Sequence, residues 1–496
     1  MQRKQLTLVI VSLLVVVLSV SLAWFTVQII GKGKDVSVTS ANLQIVFTDS
    51  DGSISGSNIE PGWSATKTFT VQNNSKSEYK YNIVIKDLLN TFVTNGYLKY
   101  KITSTNDGYN MTEFKDIPKS SVATDTILAY SVVIPNGVTQ SYTIEFKYAN
   151  DESVDQSDDM GKKLSGTLFI TEGTEDPNKT LLTQLLVDKS TKLTRTDFSK
   201  VLTNDNTNTL YTSTEDSKTV YYFAGNATDN WVKFGKNESN QDLYWRIIRT
   251  NSDGGVRLLY HGTSTTATDA VINASTAFNS SYNNIASVSY MYGSLGGILN
   301  ARENTTNSTI KTIIDNWYKD NLNTNYGKYL STTAVYCNDR STSDNYEFGA
   351  YTRLDTNKTP TYDCATTEDK FTVDTSTGNG KLTYPIALMT ADEVAFAGGV
   401  DATNAETWYY YNSANGSSTG STWWWLLSPY FWDDRYAFVF GVDGSSSPGR
   451  LASYRVGSTY GVRPAISLKS CVKYSTGNGS ASDPYTIKET ETETGC

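Results

Sequence analysis

Histidine is nearly absent from the sequence, since His261 is the single one among 496 residues. One imidazole outside any nucleophile motif does not supply a Ser-His-Asp or Cys-His site. The four cysteines form no C-x-x-C pair, so neither a zinc ribbon nor a thioredoxin-type site is indicated. A glycine-rich phosphate loop is missing as well. These absences argue against an enzyme, and we expect no cofactor and no metal.

Basic residues are in the minority, with 42 Lys and Arg against 51 Asp and Glu and a net charge of -9. No dense block of Lys and Arg lies beyond the N-terminus, so the chain lacks the positive field that collects phosphate backbones. Nucleic acid is therefore not an expected partner. The 33 tyrosines outnumber the 17 phenylalanines. Tyrosine combines apolar area with a polar hydroxyl, so it suits partly solvated surfaces as well as cores. The length of 496 residues predicts two or three domains.

Charge is also absent from residues 5–30, a mostly apolar run that follows Arg3 and Lys4. As a helix it spans about 37 Å, enough to cross a hydrocarbon core of about 30 Å. The basic residues in front of it predict that the N-terminus stays inside and that the remainder is exported. Residues 1–30 are therefore predicted to be a signal peptide or a membrane anchor. The Ser-Leu-Ala triplet at 21–23 fits signal peptidase, and both cleavage and retention of residues 6–30 in the membrane stay open.

Residues 35–172 contain several runs in which apolar and polar side chains alternate. Tyrosine and isoleucine share one face over residues 79–85, and aromatic residues and isoleucine do so over 141–148. Pro61-Gly62 and Asn136-Gly137 are turn signals. Such runs indicate antiparallel strands with one buried face. We predict an all-β sandwich of immunoglobulin-like architecture for this region.

Three motifs in this region resemble TasA/camelysin-type proteins, which Gram-positive bacteria export. They are NLQI at 42–45, IEPG at 59–62 and TKTFTVQNNS at 66–75. The resemblance implies a location on the bacterial surface or outside the cell, and a sandwich fold. Some members build biofilm fibres, and others have been described as metalloproteases. The sequence has no H-E-x-x-H motif, and His261 lies outside the region, so a zinc-protease site is not predicted.

A second globular region follows a polar linker at residues 173–178, which contains Gly and Pro. Helices are predicted over 179–189, over 308–322 from apolar residues at helical spacing, and over 390–398 from a capping box. Before the second helix, strands are predicted at 220–224, 231–234, 243–250 and 256–260. Near the C-terminus, strands are predicted at 423–427, 436–442, 451–456 and 461–468, with an aromatic and charged loop at 429–435.

The C-terminal pattern resembles the C-type-lectin-like fold in its formylglycine-generating-enzyme branch. The motifs that carry the resemblance are WWLLSP at 424–429, GVDG at 441–444 and GVRPA at 461–465. It implies an α+β domain over residues 179–470, followed by a tail at 471–496. The branch includes bacterial surface proteins and the variable proteins of diversity-generating retroelements. Its enzymes use a cysteine pair near the C-terminal core, whereas no cysteine lies within 423–468 here, so that activity is not carried over.

The loop and its neighbouring strand ends form the predicted ligand-binding surface. Tyr, Trp and Arg dominate binding hot spots because they bring area or donors at low entropic cost. The alternative is an aromatic loop packed on its own domain. In the retroelement variable proteins, ligand contacts fall in the same segment. The predicted residues are Tyr430, Phe431, Trp432, Asp433, Asp434, Arg435, Tyr436, Arg450, Tyr454 and Arg455.

Other residues in the region are predicted to be structural. We expect Trp424 and Trp425 to fill the core rather than form a ligand shelf, and Arg463 to be buried against carbonyls or a carboxylate. Asp433 and Asp434 do not form the cage of oxygens that calcium needs, although calcium dependence stays open. Export permits disulfides, and Cys337 and Cys364 flank one loop and form the predicted pair, with unpaired thiols as the alternative.

Together these features predict an exported bacterial surface protein that binds an extracellular protein or glycan. The first region would act as a stalk and the lectin-like domain as the presented head. A structural subunit of a biofilm matrix or fibre is the alternative, and a formylglycine-generating-type enzyme is a third interpretation. Whether residues 423–468 are diversified by a retroelement stays open.

Overall fold

The computed structural model describes residues 36–40, 43–49, 54–56, 60–111, 113–268, 270–342, 346–404, 406–410 and 422–488. They divide into two compact units, within residues 1–177 and 178–496, and both consist mostly of β-sheet with few helices. The predicted signal or anchor segment at 1–30 lies outside the described residues. Within the described ranges, no helix is long and apolar enough to cross a membrane.

The first unit contains two sheets. Its strands are β1 Val36–Ser40, β2 Leu43–Asp49, β3 Ile54–Gly56, β4 Ser64–Asn73, β5 Tyr79–Asn90, β6 Leu98–Ser104, β7 Lys115–Asp116, β8 Ser120–Ile134, β9 Thr139–Tyr148 and β10 Leu164–Glu172. One sheet has the order β1-β2-β4-β9-β6-β7, and the other has the order β3-β10-β5-β8. A 3-10 turn, Ser157–Asp159, precedes β10.

Side chains from both sheets meet in one apolar core, as the alternating pattern predicted. Tyr142 and Ile144 of β9 are buried in it with Ile83 of β5 and Leu168 of β10. The Tyr81 hydroxyl is buried in this core and donates a hydrogen bond to Gln140 Oε1 at 2.7 Å. The first unit is therefore built from two sheets that share one core.

The described part of the second unit consists of many strands and several short helices. Its first strands are β11 Thr191–Thr194, β12 Thr209–Glu215, β13 Lys218–Tyr222, β14 Trp231–Lys236, β15 Asp242–Thr250, β16 Val256–Gly262, β17 Asn273–Ala277, β18 Met291–Tyr292, β19 Thr306–Asn307, β20 Tyr336–Cys337, β21 Lys370–Phe371 and β22 Ile386–Leu388. The later strands are β23 Trp424–Trp432, β24 Ala437–Val442, β25 Leu451–Arg455, β26 Thr459–Val462, β27 Pro464–Leu468, β28 Tyr474–Thr476 and β29 Tyr485–Ile487.

The helices of this unit are short, with one exception. They are α1 Leu181–Asp188, α2 Ile298–Ala301, α3 Thr309–Asn321, α4 Asn323–Tyr326, α5 Gly349–Tyr351 and α6 Ala391–Phe396. Turns of 3-10 helix lie at Ile285–Val288, Gly327–Tyr329 and Thr367–Asp369, and a π-helical turn lies at Thr352–Asn357. Helices α1, α3 and α6 lie where the sequence predicted helices, and Thr390 and Glu393 form the predicted capping box of α6.

Two main sheets organise the second unit. The larger has ten strands, and seven of them follow the order β11-β12-β13-β15-β14-β29-β28. The other three branch from β15: β16 pairs with β15, β27 with β16, and β22 with β27. The smaller has the order β17-β26-β23-β24-β25 and carries the predicted binding segment. Strand β29 pairs with β14 in parallel, and Tyr485 is fully buried. Residues 474–476 and 485–487, which the sequence analysis had placed in the tail at 471–496, thus belong to the larger sheet.

A buried ion network ties α6 to the larger sheet. Glu393 Oε1 lies 2.9 Å from Arg249 Nε and 2.8 Å from Arg257 Nη1, and Arg249 Nη2 lies 2.8 Å from Glu215 Oε1. Burial raises the pKa of Glu393, but Arg257 and Arg249 outweigh it and hold that pKa below its ordinary value. The charged network is therefore maintained inside the core.

Cys337 and Cys364 form a disulfide across a sequence separation of 27 residues, as the sequence analysis predicted. Cys471 is also disulfide-bonded. The Cys337–Cys364 bond joins β20 to the segment that precedes β21, within the second unit.

Candidate functional site

The candidate surface lies at the end of the smaller sheet, where β23 and β24 meet. The sequence predicted a loop over 429–435, but β23 continues to Trp432, so Tyr430, Phe431 and Trp432 are strand residues. Pro429 lies between two register shifts in the pairing with β24, and such bulges accommodate a proline without ending a strand. The loop is therefore shorter than predicted.

The turn itself is organised by Asp433. Its Oδ1 accepts hydrogen bonds from the backbone N–H groups of Arg435, at 3.0 Å, and Tyr436, at 2.5 Å. Asp434 follows in the left-handed region, with φ of 66°, a conformation that Asp tolerates better than most residues. Both aspartates are exposed. Asp433 thus stabilises the turn through these two hydrogen bonds. The described residues contain no group of three or more His, Cys, Asp or Glu suited to a metal ion.

Tyr430 and Trp432 turn toward the core of the unit and are only half-exposed. The Tyr430 hydroxyl donates to Asp355 Oδ2 at 2.7 Å, and its ring packs edge-on against Tyr351 and Phe440. Burial and the hydrogen bond to Asp355 raise the pKa of Tyr430. The idea that the whole segment 430–436 projects outward therefore needs correction for these two residues, which contribute to packing.

The other aromatic residues form a continuous row with an arginine, here called the aromatic–arginine strip: Phe431, Phe438, Arg455 and Tyr436. The rings of Phe431 and Phe438 stack at 4.5 Å with an interplanar angle of 9°. Phe438 and Arg455 are register partners on β24 and β25. The Arg455 guanidinium lies 5.9 Å from the Phe438 ring centre and 4.0 Å from that of Tyr436. Stacked rings and a cation on a ring face hold the strip in one arrangement.

Two further side chains extend the strip beyond Tyr436. The Arg435 guanidinium lies 4.9 Å from the Tyr436 ring, and the Tyr282 ring stacks on it at 6.1 Å. Tyr282 is 47% exposed, a high value for a tyrosine. Arg435 and Arg455 are exposed, while Phe431, Phe438 and Tyr436 are half-exposed. The strip therefore offers flat apolar faces and several donors to solvent.

Tyr454 and Arg450 are not part of the strip, although the sequence grouped them with it. Successive residues of a strand point to opposite faces, so Tyr454 lies on the other side of β25 from Arg455. There its ring packs 4.8 Å from Trp423 and 4.6 Å from Tyr460. Arg450 pairs with Asp401 at the surface. The structure therefore divides the predicted site between two faces of the sheet.

The predicted structural residues are all buried. Trp424, Trp425 and Arg463 are each 0% exposed, whereas Trp423, the first of the three tryptophans, is half-exposed. Arg463 donates from Nε to the Tyr260 carbonyl at 2.8 Å and from Nη1 to the Tyr409 carbonyl. Burial lowers the pKa of Arg463. Carbonyls therefore accept hydrogen bonds from this guanidinium, which is one of the two arrangements predicted from the sequence.

Sequence reasoning missed Phe438 and Tyr282 as surface aromatics. Phe438 had a detectable signal, because it alternates with the buried Ala437 and Val439 along β24. Tyr282 had none, since its contact with Tyr436 joins segments separated by about 150 residues in the chain.

Part of the second unit matches a known family model. This family, described as a domain of unknown function (DUF6273), matches residues 315–470, a range that contains all four residues of the strip. No curated protein matches the chain. One similar solved structure is the crystal structure of a ruminal GH26 endo-beta-1,4-mannanase, with 16% identity and a TM-score of 0.15. The match covers 29% of this chain and 26% of that one, and it carries no argument about fold or activity.

Proposed function

We propose that this chain is an exported bacterial surface protein whose second unit binds an extracellular protein or glycan through the aromatic–arginine strip. One observation carries the proposal: the Arg455 guanidinium lies over the Tyr436 ring at 4.0 Å, beside the stacked Phe431 and Phe438. Flat aromatic faces bind sugar rings and apolar side chains, and arginine supplies several donors. The strip is fixed by its own stacking, so binding would cost little conformational entropy.

The burial of the residues around the strip favours a binding role for the strip over a packing role. The core of the second unit is already filled by large side chains of β23 and β24, among them Trp424, Trp425 and Val439. Phe431 and Phe438 stack on each other and stay half-exposed. An apolar row left at the surface lowers solubility unless a partner covers it.

The proposal also assigns a fold to each of the two units. The two sheets with a common core support an immunoglobulin-like sandwich for the first unit. For the second unit, the three motifs of the C-type-lectin-like resemblance occupy β23, β24 and the β26–β27 segment, which are close in space. The uncharged residues 5–30 support export, and the Cys337–Cys364 disulfide suits an oxidising compartment. Retention of residues 6–30 in the membrane would display both units at the cell surface.

A glycan array and intact host or bacterial cells, probed with the labelled full chain, test the proposal. We expect a saturable ligand whose binding falls for Phe431→Ala. The matched control is Leu299→Ala, which removes an apolar side chain that is 79% exposed in the same unit. Equal binding by the two variants would contradict the proposed site. Binding to neither cells nor glycans, with self-association into fibres instead, would favour the structural-subunit alternative.

A further inference from the structure

Two arginines at one end of the aromatic–arginine strip differ from the other arginines of the second unit. Arg435 and Arg455 are exposed, and their guanidinium groups donate no hydrogen bond to any described residue and form no ion pair with one. Every other arginine of this unit donates from its guanidinium to a carboxylate or carbonyl oxygen. The strip therefore carries two cations whose N–H groups are available to a ligand.

Both guanidinium groups lie against the same ring. The centre of the Tyr436 ring is 4.0 Å from the Arg455 guanidinium and 4.9 Å from that of Arg435. A ring attracts a cation through its face, but it has no formal charge that neutralises one. The fold therefore brings two like charges to one ring, although one arginine lies in the turn after β23 and the other ends β25. An anion bound beside them would relieve their repulsion.

The two carboxylates of the same turn do not neutralise these arginines. Asp433 Oδ1 accepts from the backbone N–H groups of Arg435 and Tyr436, so this carboxylate is used in the turn. Asp434 is exposed and forms no ion pair with a described residue. Its negative charge opposes the binding of an anion nearby. The direction in which its removal changes affinity is therefore a test of the charge of the ligand.

The apolar end of the strip is an open surface. Phe431 and Phe438 are half-exposed, and their rings lie nearly parallel, with an interplanar angle of 9°. Protein partners place their hot spots in well-packed pockets from which water is excluded. A sugar ring instead packs its C–H groups on the negative face of an aromatic ring while its hydroxyls stay in water. The open rings therefore favour a glycan over a protein as the occupant.

We infer that the strip binds an anionic glycan, with an oxyanion of the glycan on Arg435 and Arg455 and a sugar ring on the phenylalanine pair. Hydrogen bonds from a guanidinium to an oxyanion are roughly twice as strong as those between neutral groups. Two sources share this chemistry: the carboxylate of a uronic acid and the sulfate ester of a sulfated sugar. The inference rests on the proposed function of the strip and adds the chemical class of its ligand.

Biolayer interferometry with the full chain in mild detergent compares glycans with and without charge. Polygalacturonate is paired with its methyl-esterified form, dextran sulfate is paired with dextran, and polyglutamate supplies carboxylates without sugar rings. We expect saturable binding to at least one charged glycan, and roughly tenfold weaker binding or less to its neutral counterpart. Binding to polygalacturonate alone would identify a uronic acid, and binding to dextran sulfate alone would identify a sulfate ester. Binding to both would show that either oxyanion is sufficient.

Single substitutions locate the anion. Arg435→Gln and Arg455→Gln should each weaken binding to the charged glycan roughly tenfold, because charge-assisted hydrogen bonds are lost. Arg450→Gln is the matched control, since this arginine pairs with Asp401, and it should bind within about twofold of the unaltered chain. Asp434→Asn keeps a side chain that tolerates the left-handed conformation at this position, and it should strengthen binding roughly twofold. All four variants change surface side chains and should melt normally.

Several results would overturn the inference. They are equal binding to charged and neutral glycans, polyglutamate binding as tight as that of the charged glycan, no binding to any probe, unchanged affinity in Arg435→Gln or Arg455→Gln, and weaker binding by Asp434→Asn. The proposed function fails separately. A neutral or protein ligand that is lost in Phe431→Ala but retained by Arg435→Gln would refute the anionic glycan and keep the strip. Full binding by Phe431→Ala would refute the strip itself.

Discussion

Replacing Glu393 by glutamine keeps the shape of the side chain but removes the charge that two buried arginines share. Glu393 Oε1 accepts from Arg249 at 2.9 Å and from Arg257 at 2.8 Å, and Oε2 accepts from the Thr390 N–H at 3.0 Å. Breaking a buried ion pair by removal of one partner costs about 3–5 kcal/mol. We therefore expect Glu393→Gln to lower the free energy of unfolding of the second unit by about 4 kcal/mol.

Differential scanning calorimetry measures this effect. For a large domain, at about 2 °C per kcal/mol, the expected fall in melting temperature is about 8 °C. The control is Lys200→Gln, which removes an exposed ion pair with Asp197 whose charged atoms lie 3.8 Å apart. Exposed pairs contribute about 0–1 kcal/mol, so the control should move the transition by about 2 °C or less. If the two variants melt at the same temperature, the network does not stabilise the unit.

The remaining predictions concern the pH dependence of stability, the Cys337–Cys364 disulfide and export. The pKa of Glu393 is lowered in the folded protein, so its ionised form stabilises the second unit above its ordinary pKa of 4.5. This stabilisation is lost as the pH falls through the pKa of Glu393 in the folded protein. Denaturant titrations at pH 7 and pH 4 should show a lower free energy of unfolding at pH 4. The pKa of His261 is also lowered in the folded protein, so near pH 6.5 the unfolded chain binds a proton that the folded chain does not bind. The free energy of unfolding should therefore already fall as the pH drops below about 6.5. Replacement of both Cys337 and Cys364 by serine should lower the free energy of unfolding by about 3 kcal/mol, and an unchanged denaturation midpoint would refute this. Protease added to intact cells should degrade residues after 35, whereas full protection of a cytosolic protein would refute export.

Local patterns predicted most of the individual elements. Apolar residues at helical spacing located α3, and the Thr390–Glu393 capping box located α6, because both signals act within one or two turns of helix. Alternation located β5 and β9 for the same reason, since a half-buried strand needs only its own pattern. The Cys337–Cys364 pairing also followed from the sequence.

The candidate site was harder to predict because it depends on strand register. Pro429 looked like the start of a loop, but two register shifts let β23 continue to Trp432. Those shifts depend on β24, so no local signal marks them. Tyr454 and Arg455 are neighbours in sequence and lie on opposite faces of one strand. The structure therefore separates two residues that the sequence had placed in one binding site. The parallel pairing of β29 with β14 likewise depends on contacts between distant parts of the chain.

The most direct test of the strip compares two arginines that the sequence placed in the same site. Arg455 lies over Tyr436 within the strip, whereas Arg450 pairs with Asp401 and contacts none of the strip rings in the described structure. The measurement is the affinity of Arg455→Ala and of Arg450→Ala for the ligand selected by the full chain, alongside their melting temperatures. We predict that Arg455→Ala loses about 2 kcal/mol, or roughly 30-fold in Kd, while Arg450→Ala binds within about twofold of the unaltered chain and both melt normally. Unchanged binding by Arg455→Ala, or an equal loss in both variants, would contradict the assignment of the strip as the binding site.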